Sequence, residues 1–253
     1  MELLQFEKEY RIHVYEIGPD CRLSIFSLFN FLQDIASEHA VKLRFGRDDL
    51  MRENRFWVLS RVVADISLWP EWEETIIVRT WPKGTEKLFA LRDFEIFYPG
   101  GKHIASASSS WLVVDRTTKR IQRPDDLLTS FNSGPPVKNA LGRNAAKIEP
   151  SSPDGTAGDV FRVKISDLDV NLHTNMARYI EWVTDTYDLE FRTNQVPVSV
   201  EVNYLVESRW NEEIYIRTSS EGKNGCAYNH SIFRNSDKNE LCRIRIEWKD
   251  CRH

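Results

Sequence analysis

The sequence predicts an α+β fold made of two copies of one unit, each a long central helix wrapped by an antiparallel β-sheet. Three observations carry this. Trp72 to Thr80, WEETIIVRT, aligns without a gap on Trp210 to Thr218, WNEEIYIRT, at an offset of 138 residues. Upstream, Tyr10 to Asp34 (YRIHVYEIGPDCRLSIFSLFNFLQD) lies against Phe161 to Asp185 (FRVKISDLDVNLHTNMARYIEWVTD) at an offset of 151. Each copy then reads in the same order, as a short strand, a helix and several strands, the pattern expected of a duplicated unit.

The helix of the first copy is set by Ile25, Leu28, Phe29, Leu32, Ile35, Ala36 and His39, which recur at helical spacing after Ser24, a good N-cap. Large apolar residues on more than one side predict a buried helix. Strands are predicted at 56–68, 75–81, 89–98 and 105–114, the last two joined by the turn PGGK. In the second copy they fall at 196–206, 213–220, 227–234 and 240–248, with NSDKN as the turn. The change of offset leaves about a dozen extra residues in the first copy, between its helix and its later strands.

The 253 residues suit one large or two small domains. The expected division is an N-terminal unit at 1–130, a linker at 131–158 rich in Pro, Gly, Ser and Asn, and a C-terminal unit at 159–253. A long apolar helix wrapped by an antiparallel sheet is the hotdog arrangement. The chain is therefore expected to be a tandem (double) hotdog with its two sheets paired edge to edge.

Composition removes several function classes. Eight Trp and 28% charged residues describe an ordinary globular protein, not a disordered or fibrous one. The longest stretch free of Asp, Glu, Lys and Arg has 12 residues, too few for a membrane span. A net charge of −4 argues against a general nucleic-acid binder. Glu2, Glu7 and Glu9 stand where a targeting peptide would want basic and apolar residues, which predicts a cytoplasmic protein. Cys21, Cys226, Cys242 and Cys251 show neither a disulfide framework nor metal-ligand spacing. His13, His103 and His230 lack an evident acidic partner at ligand spacing, so no metal and no cofactor are expected. No GxSxG, Walker, GxGxxG or HExxH motif is present.

One segment stands out chemically. Asp169, Asn171 and His173 alternate in DLDVNLHTN, just before a helix starting near Asn175 or Met176. In an extended segment their side chains share one face, beside helix N–H groups that favour developing negative charge. The plainer reading is that Asp169 and Asn171 cap the turn and the helix and that His173 is a satisfied polar residue. The first copy has Gly18, Asp20 and Arg22 at the corresponding places, so the carboxylate and imidazole pattern is confined to the second. Two basic runs, Arg116, Lys119, Arg120 and Arg123 in one and Lys42 to Arg55 in the other, read as a solvated surface or as a docking site for an acidic partner.

These residues resemble the plant and bacterial acyl-acyl carrier protein thioesterases, which are tandem hotdogs. The match runs in order through YEIGPD, SIFSLFNFLQDIASEH, FWVLSRV, PEWEETIIVRTW, ASSSWLVVDRTTKRIQRP, DLDVNLHTNMARYIEW and VNYLVES, covering nearly the whole chain. The resemblance implies hydrolysis of the thioester between a fatty acyl chain and the arm of acyl carrier protein, releasing fatty acid and ending elongation. It places the site on Asp169, Asn171, His173 and Glu207. Ser208 stands where the family has cysteine, which counts against a cysteine nucleophile unless the Ser208 hydroxyl, strongly activated by His173, takes its place as an accessory group, and favours carboxylate chemistry. By the same resemblance the first copy shapes the acyl pocket, with Phe26, Phe29 and Trp57 as expected walls, and the acidic carrier protein docks on Arg116, Lys119, Arg120 and Arg123. An acyl-CoA thioesterase and a non-catalytic acyl-binding module are the alternatives, and a hotdog dehydratase fits the motifs poorly. Either a monomer or a homodimer is compatible with a tandem chain.

Overall fold

The computed structural model describes residues 4–124, 138–221 and 226–251. The first copy comprises β1 (Phe6–Arg11), α1 (Ile25–Lys42), α2 (Arg47–Arg52), β2 (Arg55–Ile66), β3 (Thr75–Glu86), β4 (Phe89–Phe97) and β5 (His103–Asp115). After the short strands β6 (Ile121–Gln122) and β7 (Thr156–Ala157), the second copy opens with β8 (Phe161–Arg162). It contains α3 (Met176–Thr184), α4 (Leu189–Asn194), β9 (Gln195–Tyr204), β10 (Glu213–Glu221), β11 (Ala227–Arg234) and β12 (Glu240–Asp250). The one-turn helices α2 and α4 are too short to show a helical period in the sequence. β3 runs past Trp81 through Pro82 and Gly84, where a register shift absorbs the proline.

Both long helices start on a side-chain cap: Ser24 Oγ accepts the Ser27 N–H at 3.1 Å, and Asn175 Oδ1 accepts the Ala177 N–H at 2.8 Å. The twelve strands of the described residues form one sheet, whose main path is β1-β3-β4-β5-β2-β9-β12-β11-β10-β7. The copies meet at the antiparallel β2–β9 pair, Arg61–Asp65 opposite Ser199–Asn203. The duplication is visible bond by bond. Gly18 N–H donates to the Arg22 carbonyl and Asp169 N–H to the His173 carbonyl, both at 2.7 Å. Cys21 and Leu172, one offset apart, both take φ of 62°, and so nearly do Glu73 (66°) and Asn211 (67°).

Alternation gives the sheet two distinct faces. Val62, Ala64, Ile76, Val78, Phe94, Val200, Val202, Ile244 and Ile246 face the helices in one continuous apolar core. The opposite face is polar and is covered by the chain from Lys138 onward. Trp81 Nε1–H donates to the Lys138 carbonyl at 2.9 Å, Asp93 accepts the Ala140 N–H at 2.8 Å, and Asn203 bonds both Ala146 and Ile148. The glycine- and proline-rich stretch expected as a linker thus includes a segment that is docked on the sheet; residues 131–137 of it lie outside the described residues. Among the described residues no helix is long and apolar enough to cross a membrane.

The core of the second copy contains a buried histidine. His230 Nε2 lies 2.8 Å from the Tyr187 hydroxyl and its Nδ1 2.9 Å from Thr218 Oγ1, within a ring cluster of Tyr187, Phe191, Tyr228 and Trp248. Burial pushes its pKa down to about 3, against roughly 6.5 in an unfolded chain. Between those values the unfolded chain takes up a proton that the native imidazole refuses. This component of stability is therefore present above about pH 6.5 and is lost on acidification, with a limiting slope of about 1.4 kcal/mol per pH unit. Urea titrations from pH 7 to pH 5 are expected to show that slope in the parent chain and a flatter one in His230→Gln.

Candidate active site

The segment from Asp169 to Leu172 is a turn, not the extended run that alternation predicts. Asp169 brings this about. Its Oδ1 accepts the N–H of Asn171 at 2.8 Å and of His173 at 3.2 Å, and its Oδ2 lies 3.4 Å from Asn171 Nδ2. A short carboxylate that binds the backbone two residues on competes with extended structure, the usual behaviour of Asp at a turn. Leu172 takes the left-handed conformation that closes it, and Leu168 pairs with Thr174 across its base. Helix capping falls to Asn175, not to Asp169 or Asn171.

His173 leaves this turn beside Arg209, with which it forms an isolated antiparallel bridge. That places its Nε2 3.2 Å from Glu207 Oε2. Glu207 lies on the loop after β9, where the N–H groups of Leu205 and Val206 donate to the Leu241 carbonyl at 2.9 and 3.1 Å. Arg234 Nη2 donates to the Glu207 carbonyl at 2.9 Å. Asp169 and His173 are half-buried, whereas Asn171 and Glu207 are exposed. Each carboxylate has its own partner, Glu207 the imidazole and Asp169 the amides of its turn.

All four residues line a cavity of about 830 Å³. The second copy adds Met176, Tyr179 and Tyr204, and the first copy supplies the facing walls: Gln33, Ala36, Ser37, Ala40 and Val41 of α1, Phe45, Met51, the β2 segment from Phe56 to Leu59, and Ala90, Leu91 and Trp111. Trp57 is fixed there by its Nε1–H donating to the Phe45 carbonyl at 2.9 Å. Phe29 borders a narrow inner recess that shares Gln33, Leu59, Trp111, Met176 and Tyr204 with the main cavity. Phe26 is elsewhere. Its ring lies beneath the Arg178 guanidinium, 4.6 Å from centroid to Cζ, because at the second position of α1 it projects toward α3 and not into the cavity.

Arg47, Arg116 and Lys119 line the basic part of the wall. Lys119 Nζ sits 5.5 Å from the centre of the Phe56 ring. Arg120 and Arg123 are exposed on the same segment, and among the described residues no carboxylate pairs with Arg116, Lys119, Arg120 or Arg123. Of the histidines without an evident acidic partner in the sequence, His13 does find one, with Glu16 at 3.1 Å.

Ser208 is absent from the cavity wall. It is fully buried, its hydroxyl 2.7 Å from Thr174 Oγ1 and 2.8 Å from the Tyr179 hydroxyl, and it makes no hydrogen bond with His173. A nucleophile needs both a base within reach and access to substrate; Ser208 has neither. Tyr179, whose burial pushes its pKa up to about 12, and Thr174 are site residues that the sequence reading misses. So is Arg92, a buried cavity-wall cation with Nη1 3.0 Å from His39 Nδ1 and 3.1 Å from Thr80 Oγ1. An arginine inside the apolar run FALRDFEIF was the signal available for it.

The chain matches the model of the acyl-ACP thioesterase N-terminal domain over residues 3–131 and that of the C-terminal domain over residues 152–250. It is 28% identical over 262 residues to a palmitoyl-acyl carrier protein thioesterase, chloroplastic, of Cuphea hookeriana, covering 97% of this chain and 62% of the relative. With the protein of the same description from Arabidopsis thaliana it shares 26% identity over 264 residues, 97% of this chain and 64% of the other. It thus spans less than two thirds of the length of these relatives. Two solved structures share its fold. An acyl-ACP thioesterase from Bacteroides thetaiotaomicron superimposes with a TM-score of 0.84 at 23% identity, over 97% of this chain and 98% of that one. A 12:0-ACP thioesterase from Umbellularia californica gives 0.85 at 23% identity, over 99% and 98%. The fold is therefore a tandem hotdog, and the chain belongs to the acyl-ACP thioesterase family.

Proposed function

We propose that the chain hydrolyses the thioester of a fatty acyl group carried on acyl carrier protein and releases the free fatty acid. The observation that carries this reading is the meeting of the two copies at one cavity. The second copy brings two carboxylates and an imidazole to a cavity whose facing wall, from the first copy, is largely apolar. An acyl chain fits the apolar part, and the thioester carbonyl then falls beside the Asp169 turn.

The chemistry follows from what each group can do. Asp169 supplies the attack on the carbonyl, directly or through a water that it deprotonates, with Asn171 holding its carboxylate in place. His173 and Glu207 form the hydrogen-bonded pair that moves the proton. The negative charge on the carbonyl oxygen develops beside the start of α3, where Met176 at the first helical position lines the cavity and the helix dipole points its positive end. A thiolate leaves readily, so no metal is needed to activate it.

Arg116 and Lys119 at the cavity wall, with Arg120 and Arg123 beside them, are the proposed docking surface for the acidic carrier protein. An acidic chain with a local basic patch steers such a partner over about a Debye length, roughly 8–10 Å at ordinary salt. An acyl-CoA substrate would need less of this patch. Cytoplasmic placement belongs to the same proposal, since acyl carrier protein must be within reach.

Free-thiol release from acyl-carrier-protein thioesters of several chain lengths, beside the matching acyl-CoA series, tests the reading; no release from either would sink it. Asp169→Asn keeps an oxygen acceptor for the turn amides, so the fold should hold while kcat drops on the order of 10²-fold or more. Ser208→Ala should keep most of the turnover, and its loss would point to serine chemistry instead. Charge reversal at Arg116 and Lys119 should raise KM for the carrier-linked substrate, leave kcat nearly unchanged and flatten the salt dependence.

A further inference from the structure

We propose that Tyr179 is a positioning residue that holds the Glu207 loop against His173 through Ser208. The Tyr179 hydroxyl accepts the Ser208 N–H at 3.0 Å and lies 2.8 Å from Ser208 Oγ. Ser208 Oγ also contacts Thr174 Oγ1 at 2.7 Å, while the Thr174 N–H donates to the Ser208 carbonyl at 2.9 Å. Thr174 follows His173, and Ser208 follows Glu207. The contact between Glu207 and His173, 3.2 Å long, is therefore one residue away from this clamp on both sides. The other anchors of the loop, Leu241 and Arg234, tie it to the sheet side; Tyr179 is the tie to α3.

The first copy serves as an internal control. At the places of Thr174, Tyr179 and Ser208 it has Leu23, Leu28 and Pro70, and at the place of Glu207 it has Trp69. The backbone bond survives there, with the Leu23 N–H donating to the Pro70 carbonyl at 2.8 Å. The fold thus needs the bond but not the hydroxyls. Proline has no N–H to satisfy, whereas Ser208 buries one that Tyr179 must accept. The Tyr179 hydroxyl and the Ser208 N–H that it accepts, both buried, are a cost to the unit unless they do something the leucine and proline version cannot. They occur in the copy that carries the acid–imidazole pair.

The turnover part of the test rests on the proposed thioesterase reading; a second readout does not. Tyr179→Phe and Ser208→Ala are compared by steady-state kinetics on an acyl thioester, by the pH profile of kcat, and by the NMR signals of the His173 imidazole. Tyr179→Phe leaves the Ser208 N–H buried without its acceptor. It should lower kcat about 10- to 100-fold with KM within about twofold, distort the pH profile and move the His173 signals. Ser208→Ala keeps the N–H bond to Tyr179 and should retain most of kcat, with His173 signals unmoved. Should Tyr179→Phe fail to fold, the triple variant Thr174→Leu, Tyr179→Leu, Ser208→Pro reproduces the set the first copy already folds with, and it should show the same loss. The proposal is overturned if Tyr179→Phe lowers only thermal stability, if its loss falls on KM, or if Ser208→Ala abolishes turnover while Tyr179→Phe does not. A parent chain without thioesterase activity would remove the functional reading, and the His173 signals would still decide the clamp.

Discussion

The antiparallel pairing of β2 with β9 is the constraint on which the site depends. Five residue pairs, from Arg61 opposite Asn203 to Asp65 opposite Ser199, merge two sheets into one and fix the second copy against the first. The register is held from both faces. Toward the helices, Val62 pairs with Val202 and Ala64 with Val200, all inside the shared core. On the other face the Arg143 fork grips Asp65 at 2.6 and 2.8 Å and reaches Ser199 at 3.3 Å. A slip by one residue would turn the valines outward and bury Asp65 and Ser199 among hydrocarbon, so alternative registers are strongly disfavoured. With the seam fixed, the Asp169 turn of one copy meets the α1 surface of the other, and neither copy alone encloses the cavity.

Within that shared frame the copies have diverged in complementary ways. α1 has 18 residues and α3 has 9. The cavity-lining residues Ala36, Ser37, Ala40 and Val41 all lie in the part of α1 that has no counterpart in α3, so the extra residues of the first copy build part of the cavity wall. In the second copy the comparable space is filled. Tyr187, Phe191 and Trp248 pack with ring centroids 4.7 to 5.1 Å apart around His230, which stands opposite Thr218 as Phe94 stands opposite Thr80. Each copy buries a polar group on its threonine, but at different register positions, Arg92 on Thr80 and His230 on Thr218. Arg92 lines the cavity, whereas His230 is enclosed by rings.

Much of this was legible in the sequence because the duplicated segments combine period, register and turn chemistry in short windows. WEETIIVRT and WNEEIYIRT carry the tryptophan, glutamate, isoleucine, arginine and threonine that set the same strand and the same preceding turn. Less legible was anything decided by contact between distant segments. Alternation at Asp169, Asn171 and His173 suggested extended chain, yet Asp169 folds back on the amides of its own turn, a local competition that period two does not reveal. Phe26 and Phe29 look equivalent by composition, and only the helix azimuth, set by packing against α3 and the sheet, sends one under Arg178 and the other to the cavity recess. Tyr179 reads as one more core aromatic until its hydroxyl is seen to meet Ser208, 29 residues away.

The replacement of cysteine by serine next to Glu207, which the family resemblance makes conspicuous, becomes intelligible in these terms. At position 208 the backbone is pinned by Thr174 and Tyr179, and the side chain points into protein, away from the cavity. What the position requires is a small side chain that tolerates burial among hydroxyls and a backbone N–H for Tyr179. Serine meets both needs and adds two hydrogen bonds of ordinary length, which offset the desolvation of its hydroxyl. Attack on a thioester from there would require the loop to turn over, breaking the bonds that keep Glu207 beside His173. The arrangement that makes Ser208 a poor nucleophile is therefore the same one that assembles the acid–imidazole pair on the cavity wall.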